Sequence, residues 1–206
     1  MALDVREAIA DSLLELCETR PLQSISVKDI FQHTGVSRQT FYNYFLDKND
    51  LICWIYRNRI LSDLKPTDSL SACYSENLVF YRRIAKHYNF MKQALMLSGQ
   101  NCLRDYMLQY ASEFSLKWSQ NNCPDGILSD ELSFAVHFHA TATINTVISW
   151  VMTGMPLPPE NLALRIYRAI FSEESIVNSQ ASACVNHLQA KPNIASAQFV
   201  LSTSPI

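Results

Sequence analysis

Glycine is scarce in this chain, at four residues in 206. That scarcity excludes a glycine-rich phosphate loop, a collagen-like repeat and a β-sandwich built on many tight turns. Charge is also sparse: charged residues are 17% of the chain, against a usual share of about 25%. No excess of positive charge marks the whole chain as a nucleic-acid binder, because the formal net charge is -2. Any such site must be local. The six cysteines, Cys17, Cys53, Cys73, Cys102, Cys123 and Cys184, include no C-x-x-C pair and have no histidine at zinc-finger spacing. A zinc site is therefore not expected. The first ten residues carry Asp4, Arg6 and Glu7 and no long apolar core, so they do not read as a signal peptide. Reduced thiols in a cytoplasmic protein are the expectation.

A membrane span is also argued against. No Asp, Glu, Lys or Arg lies between Glu131 and Glu160, but that stretch carries His137, His139, Thr141, Thr143, Asn145, Thr146 and Ser149. So many polar groups in one lone span would be expensive. A helix buried on most faces, inside the protein or a dimer, is expected instead. No strand pattern, internal repeat, Ser-His-Asp or Cys-His arrangement stands out. An enzyme is not expected, nor is a cofactor.

What is present is helical. Val5, Ile9, Leu13, Leu16 and Cys17 form one apolar stripe, so a helix is expected from about Leu3 to Thr19. Pro21 closes it. Ser26 is an N-cap, with Asp29 three residues on as in a capping box. A short helix, Val27 to His33, is predicted, then a turn at Gly35. Ser37 caps a second short helix, Arg38 to about Tyr44. Val27, Ile30, Phe31, Val36, Phe41 and Phe45 would lock the two together. Short helix, glycine turn, short helix is the helix-turn-helix pattern. Asp47-Lys48-Asn49-Asp50 reads as a polar break, followed by a helix from Leu51 to about Leu64.

Beyond a boundary at Pro66 to Ser69, helical periods run through Leu70 to Tyr88, Phe90 to Leu97, Leu103 to about Asn121, Ser129 to Thr153 and Glu160 to Ser172. From Ser175 to Ile206 periodicity fades. That stretch, rich in Ser, Ala, Asn and Gln, is expected to be a mostly disordered tail.

Between Arg20 and Ile60 six basic residues (Arg20, Lys28, Arg38, Lys48, Arg57, Arg59) face three acids (Asp29, Asp47, Asp50), a local +3. This is the balance a duplex contact needs. The second short helix offers Arg38, Gln39, Thr40, Asn43 and Tyr44. Arginine can read guanine, and Gln or Asn adenine, in the major groove. Hydroxyls and Lys48 suit phosphate. The alternative is a helical hairpin with an ordinary polar face, in a protein–protein adaptor that binds no DNA.

Ser26-Val27-x-x-Ile30, Gly35 to Phe45 and Asp47-Lys48-x-x-Leu51 together resemble the DNA-binding domain of TetR/AcrR-family transcriptional regulators. The wording from Arg38 to Phe45, with Leu51 to Ile55 after it, is similar to the DhaS-like subgroup linked to dihydroxyacetone kinase. The resemblance implies an all-α fold: a three-helix N-terminal domain (residues 1–62, motif 26–45), a helical regulatory and dimerisation domain (63–173) and a tail (174–206). It implies phosphate contacts from Tyr42 and Lys48, backbone or base contacts from Thr40 and Tyr44, and a base-facing run from Ser37 to Asn43. Ser26, Ser37, Arg38, Gln39, Thr40, Tyr42, Asn43, Tyr44 and Lys48 are the expected DNA set. It further implies a homodimer through helices 129–153 and 160–172 on a pseudo-palindromic operator, acting mainly as a repressor, with activation as the other outcome. Arg20-Pro21 departs from the family, which commonly has glycine there, so the turn is expected to differ.

An effector or co-regulator protein is expected to act on the larger domain. Tyr81, Tyr106, Tyr110, Phe114 and His137 are the candidate lining of a small-molecule pocket; aromatics at this spacing more often simply fill a core, and a histidine such as His137 is more often a core or interface residue. His137 and His139 point about 200° apart on a helix and cannot share one metal.

Overall fold

The computed structural model describes residues 4–64, 70–99, 101–123 and 126–170. Among them are nine α-helices and no strand, as the all-α reading requires. The expected boundary at 66–69 and tail at 174–206 lie outside the described residues.

Helix α1 spans Val5–Thr19 and starts from Asp4, whose carboxylate accepts the Arg6 N–H at 3.0 Å. Of the predicted stripe Ile9, Leu13 and Cys17 are buried and Val5 and Leu16 half-buried, while Ala10 and Ser12 join the buried side. The Arg20-Pro21 departure becomes extended backbone leading into a short 3-10 turn, Leu22–Ser24. Helices α2 (Val27–Thr34) and α3 (Arg38–Tyr44) follow as the caps dictate.

Helix α4 covers Lys48–Ile55 and so begins three residues before the expected Leu51. The polar run Asp47 to Asp50 is its first turn: Asp47 accepts the Asp50 N–H at 2.8 Å and acts as N-cap. The helix continues as a widened π turn, Tyr56–Ile60, rather than running regularly to Leu64. Arg83 closes that end by donating to the carbonyls of Ile60 (3.1 Å) and Ser62.

The larger domain holds α5 (Leu70–Lys86), α6 (Tyr88–Met96), α7 (Leu103–Asn121), α8 (Asp130–Met152) and α9 (Pro159–Ile170). Helix α9 starts at Pro159, where the missing N–H costs nothing in a first turn. One buried cluster runs through both halves of the chain, from Ile9, Ile30 and Phe41 through Ile55 and Ile60 to Met91, Met107 and Val147. Ile30, Phe41 and Phe45 of the predicted lock are buried, and Val27, Phe31 and Val36 pack partly buried against them.

The charge-free stretch that follows Glu131 falls in α8, whose first turn still carries Asp130 and Glu131. Leu132, Val136, Ala140, Ile144, Val147 and Val151 are buried on one side. The other side carries Phe134 and Phe138, 72% and 59% exposed, continuing through exposed Ala142, Asn145 and Ser149. No helix among the described residues is long and apolar enough to cross a membrane.

Candidate nucleic-acid interface

The helix-turn-helix is built from caps inward. Ser26 Oγ accepts the Asp29 N–H at 3.2 Å, and Asp29 Oδ2 accepts the Ser26 N–H at 2.8 Å, a complete capping box. The Ser26 hydroxyl and N–H, with Arg20 at 3.3 Å, hold the Asp29 carboxyl down to about 2. Buried Ser12 of α1 ties α2 down from behind, donating to Ile30 O at 3.2 Å and sharing a 2.9 Å hydrogen bond with His33 Nδ1.

Gly35 ends α2 at φ +80°, a left-handed conformation that favours glycine. Ser37 then starts α3: its Oγ accepts the Thr40 N–H at 3.0 Å and lies 2.8 Å from Thr40 Oγ1. Phe41 and Phe45 anchor the helix. They are 0% and 2% exposed, with ring centroids 5.8 Å apart, and Phe45 meets Trp54 of α4 edge-on at 5.8 Å. With those two rings inward, Arg38, Gln39, Tyr42, Asn43 and Tyr44 project outward. The anchor therefore turns an aromatic pair into a rigid mount for a polar reading face.

That face carries contacts of its own. Gln39 Nε2 donates to Asn43 Oδ1 at 3.0 Å, so the two amides sit side by side one turn apart. The Arg38 guanidinium lies 5.6 Å from the Tyr42 ring centroid. Arg6 of α1 lies 5.4 Å from the Tyr44 ring. The sequence reading missed Arg6, and no local pattern marks it, because its partner is far along the chain.

The expected basic residues divide. Lys28 and Arg38 are exposed. Arg20 pairs with Asp29. Arg59 turns back to Glu7 and to Asp11 (2.7 Å for the latter). Arg57 lies 5.8 Å over the Tyr106 ring. Lys48 is half-buried, and its Nζ donates to Leu22 O at 2.9 Å and Ile25 O at 2.7 Å. Burial lowers its pKa. An ammonium has three donors, so one remains beyond those two carbonyls.

In the larger domain Tyr106, Tyr110 and Phe114 stack along α7, with centroids 6.1 and 6.0 Å apart. Tyr106 meets Tyr56 edge-on at 6.0 Å. Tyr56 is fully buried, which pushes its phenol well above the usual range, with Tyr110, Tyr106 and Tyr81 adding to the rise. Of the candidate pocket residues Tyr106 touches Tyr56, which lies in the π turn after α4; Tyr110 and Tyr81 act on it electrostatically, and Phe114 stacks beyond Tyr110. His137 does not join them in this way; it is exposed on α8.

Residues 9–52 match the family "Bacterial regulatory proteins, tetR family", and residues 79–172 match a "Transcriptional regulator C-terminal region" of TetR type. The chain is similar to the HTH-type dhaKLM operon transcriptional activator DhaS of Lactococcus lactis subsp. lactis (strain IL1403). The two are 25% identical over 176 residues, 84% of this chain and 92% of that one. In fold it is similar to the solved dihydroxyacetone kinase operon activator DhaS, with TM-score 0.63 and 22% identity over 85% of this chain and 98% of that one. It is also similar in fold to the TetR family repressor AlkX from Dietzia sp. strain DQ12-45-1b, with TM-score 0.51 and 16% identity over 80% and 92%. Both family matches and the curated relative are regulators rather than enzymes. The chain belongs to the TetR family of DNA-binding transcriptional regulators.

Proposed function

We propose that the protein is a cytoplasmic homodimer that sets two copies of α3 into successive major grooves of a pseudo-palindromic operator. The observation that carries this reading is the outward polar face of α3 on its Phe41–Phe45 mount. In this reading Arg38, Gln39 and Asn43 face base edges. Ser26, Ser37, Thr40, Tyr42, Tyr44 and the remaining donor of Lys48 face sugar and phosphate. Residues 1–62 form the DNA-binding unit and 63–173 the dimerisation and signal-receiving unit. The outer face of α8, with α9, forms the dimer seam: it is free of charged side chains from Ser133 to its end. Such a face suits burial against a second copy.

An effector or co-regulator that prefers one arrangement of the helices shifts the population, and with it the spacing of the two recognition helices. The site proposed for a small-molecule effector is the aromatic ground around Tyr81, Tyr106, Tyr110 and Phe114. The output proposed is repression. The match to DhaS, whose name states an activator, favours activation as a second reading.

A gel-shift titration on the gene's own upstream region tests the assignment. Tyr42→Phe and Lys48→Ala should weaken binding to all sequences, whereas Gln39→Ala and Asn43→Ala should change sequence preference. Unchanged binding in all four variants sinks the assignment of α3. A reporter fused to the same region, measured with and without the protein, gives the sign of regulation.

A further inference from the structure

We propose that Gln93, in α6 of the larger domain, is a positioning residue that couples that domain to Lys48 at the DNA interface. The coupling passes through the peptide unit of Leu22. Gln93 Oε1 accepts the Leu22 N–H at 2.5 Å, and Gln93 Nε2 donates to Cys17 O at 3.1 Å. Both ends of one amide are therefore spent on backbone groups flanking the Arg20-Pro21 break. Only this orientation of the amide satisfies a donor on one side and an acceptor on the other.

The need for such a partner is built into the backbone. Leu22 opens a 3-10 turn, so its N–H has no partner within that turn. The Cys17 carbonyl lies in the last turn of α1, where carbonyls lack helical partners. Gln93 supplies both. Asn89, one turn earlier on α6, adds a second tie by donating to Glu18 Oε2 at 2.9 Å.

The other face of the same connector belongs to Lys48. Its Nζ donates to Leu22 O and Ile25 O, so Leu22 is held by its N–H from α6 and by its carbonyl from the first residue of α4. The Leu22 and Ile25 side chains are 0% and 1% exposed. The connector cannot slide without opening the core, so it transmits a displacement of α6 rather than absorbing it. A shift of α6 moves the two carbonyls that aim the lysine, and the direction of its third donor changes with them. This inference rests on the reading that Lys48 meets the DNA backbone.

The test is a double-mutant cycle in full-length protein. Fluorescence anisotropy is read on a duplex of the upstream region across a salt series, with thermal melts to show that each variant is folded at the assay temperature. Gln93→Leu should weaken binding about three- to ten-fold, the worth of one or two net hydrogen bonds. It should lower the salt dependence in the same direction as Lys48→Met. In the Lys48→Met background it should do little more, so the two effects do not multiply. Gln93→Glu keeps an acceptor for the Leu22 N–H but sets a carboxylate against Cys17 O in place of a donor, so its affinity and salt dependence should fall between wild type and Gln93→Leu; wild-type values in this variant overturn the coupling should the leucine variant fail to fold.

Two results overturn the coupling while leaving the Lys48 reading intact. One is a Gln93→Leu protein with a lowered melting temperature but wild-type affinity and salt dependence. The other is full multiplication of the two effects. If Lys48→Met itself leaves affinity and salt dependence unchanged, Lys48 is not at the DNA backbone, and the coupling falls with that reading.

Discussion

Glutamate at both Phe134 and Phe138 should convert the protein to a monomer at micromolar concentration. The two rings sit one turn apart on α8, centroids 6.4 Å apart and stacked, and stand out from the fold. Taking about 200 Å² for each phenylalanine, with 72% and 59% exposed, leaves about 260 Å² of aromatic surface per protomer. If a dimer covers half of that on each of two protomers, burial contributes about 6 kcal/mol at about 25 cal/mol/Å². Substituting glutamate removes that gain and brings four carboxylates toward one seam. The dimer constant should rise by about four orders of magnitude, since each 1.4 kcal/mol is tenfold. Sedimentation velocity of the wild type and the double variant over a concentration series measures this directly. Circular dichroism should show the same helix content and, because both rings are exposed in the protomer, a nearly unchanged protomer fold. A variant that sediments as the same dimer would place the seam away from these two rings.

Three further outcomes test the local physics. Gly35→Ala should destabilise by about 1 kcal/mol, the cost of a left-handed alanine. No atom lies within 4 Å of the added Cβ, so the melting temperature should fall by about 2–4 °C without a change in operator affinity. Asp29 titrates at about 2 because Ser26 and then Arg20 favour its charged form. Its stabilisation is present above the unfolded carboxyl value of about 3.9 and is lost as pH falls through about 2; Ser26→Ala should raise that pKa in an NMR titration, and an unmoved value would remove Ser26 as the cause. Burial pushes the Cys17 and Cys53 thiols up to about 11. Mapped labelling with a thiol reagent near neutral pH should find both only in denaturant; rapid labelling of the native protein would contradict their burial.

The helices most legible in the sequence are those with local marks. Ser26, Asp29, Gly35 and Ser37 each act on backbone a few residues away, and each sits where its spacing says. The start of α4 misled because Asp47 to Asp50 is polar, and polarity alone does not separate a loop from a capped first turn. The site was legible in composition and less so in engagement. Arg59 and Arg20 count as free cations in a sum, yet the fold pairs them with Glu7, Asp11 and Asp29. Lys48 reads as a phosphate ligand, and its grip on Leu22 and Ile25 has no local sign. Gln93 and Arg6 were invisible for the same reason: their partners lie on other helices, and periodicity encodes only which face of a helix is inward.

DNA binding by α3 separates this protein from a helical adaptor. Anisotropy of a labelled duplex from the gene's own upstream region, titrated with full-length protein at moderate salt and in excess unrelated duplex, tests it most directly. Binding should be saturable, survive the competitor with two protomers per site, and be lost when Gln39 and Asn43 are both changed to alanine. Binding abolished by the competitor, or left untouched by the paired substitution, would contradict it.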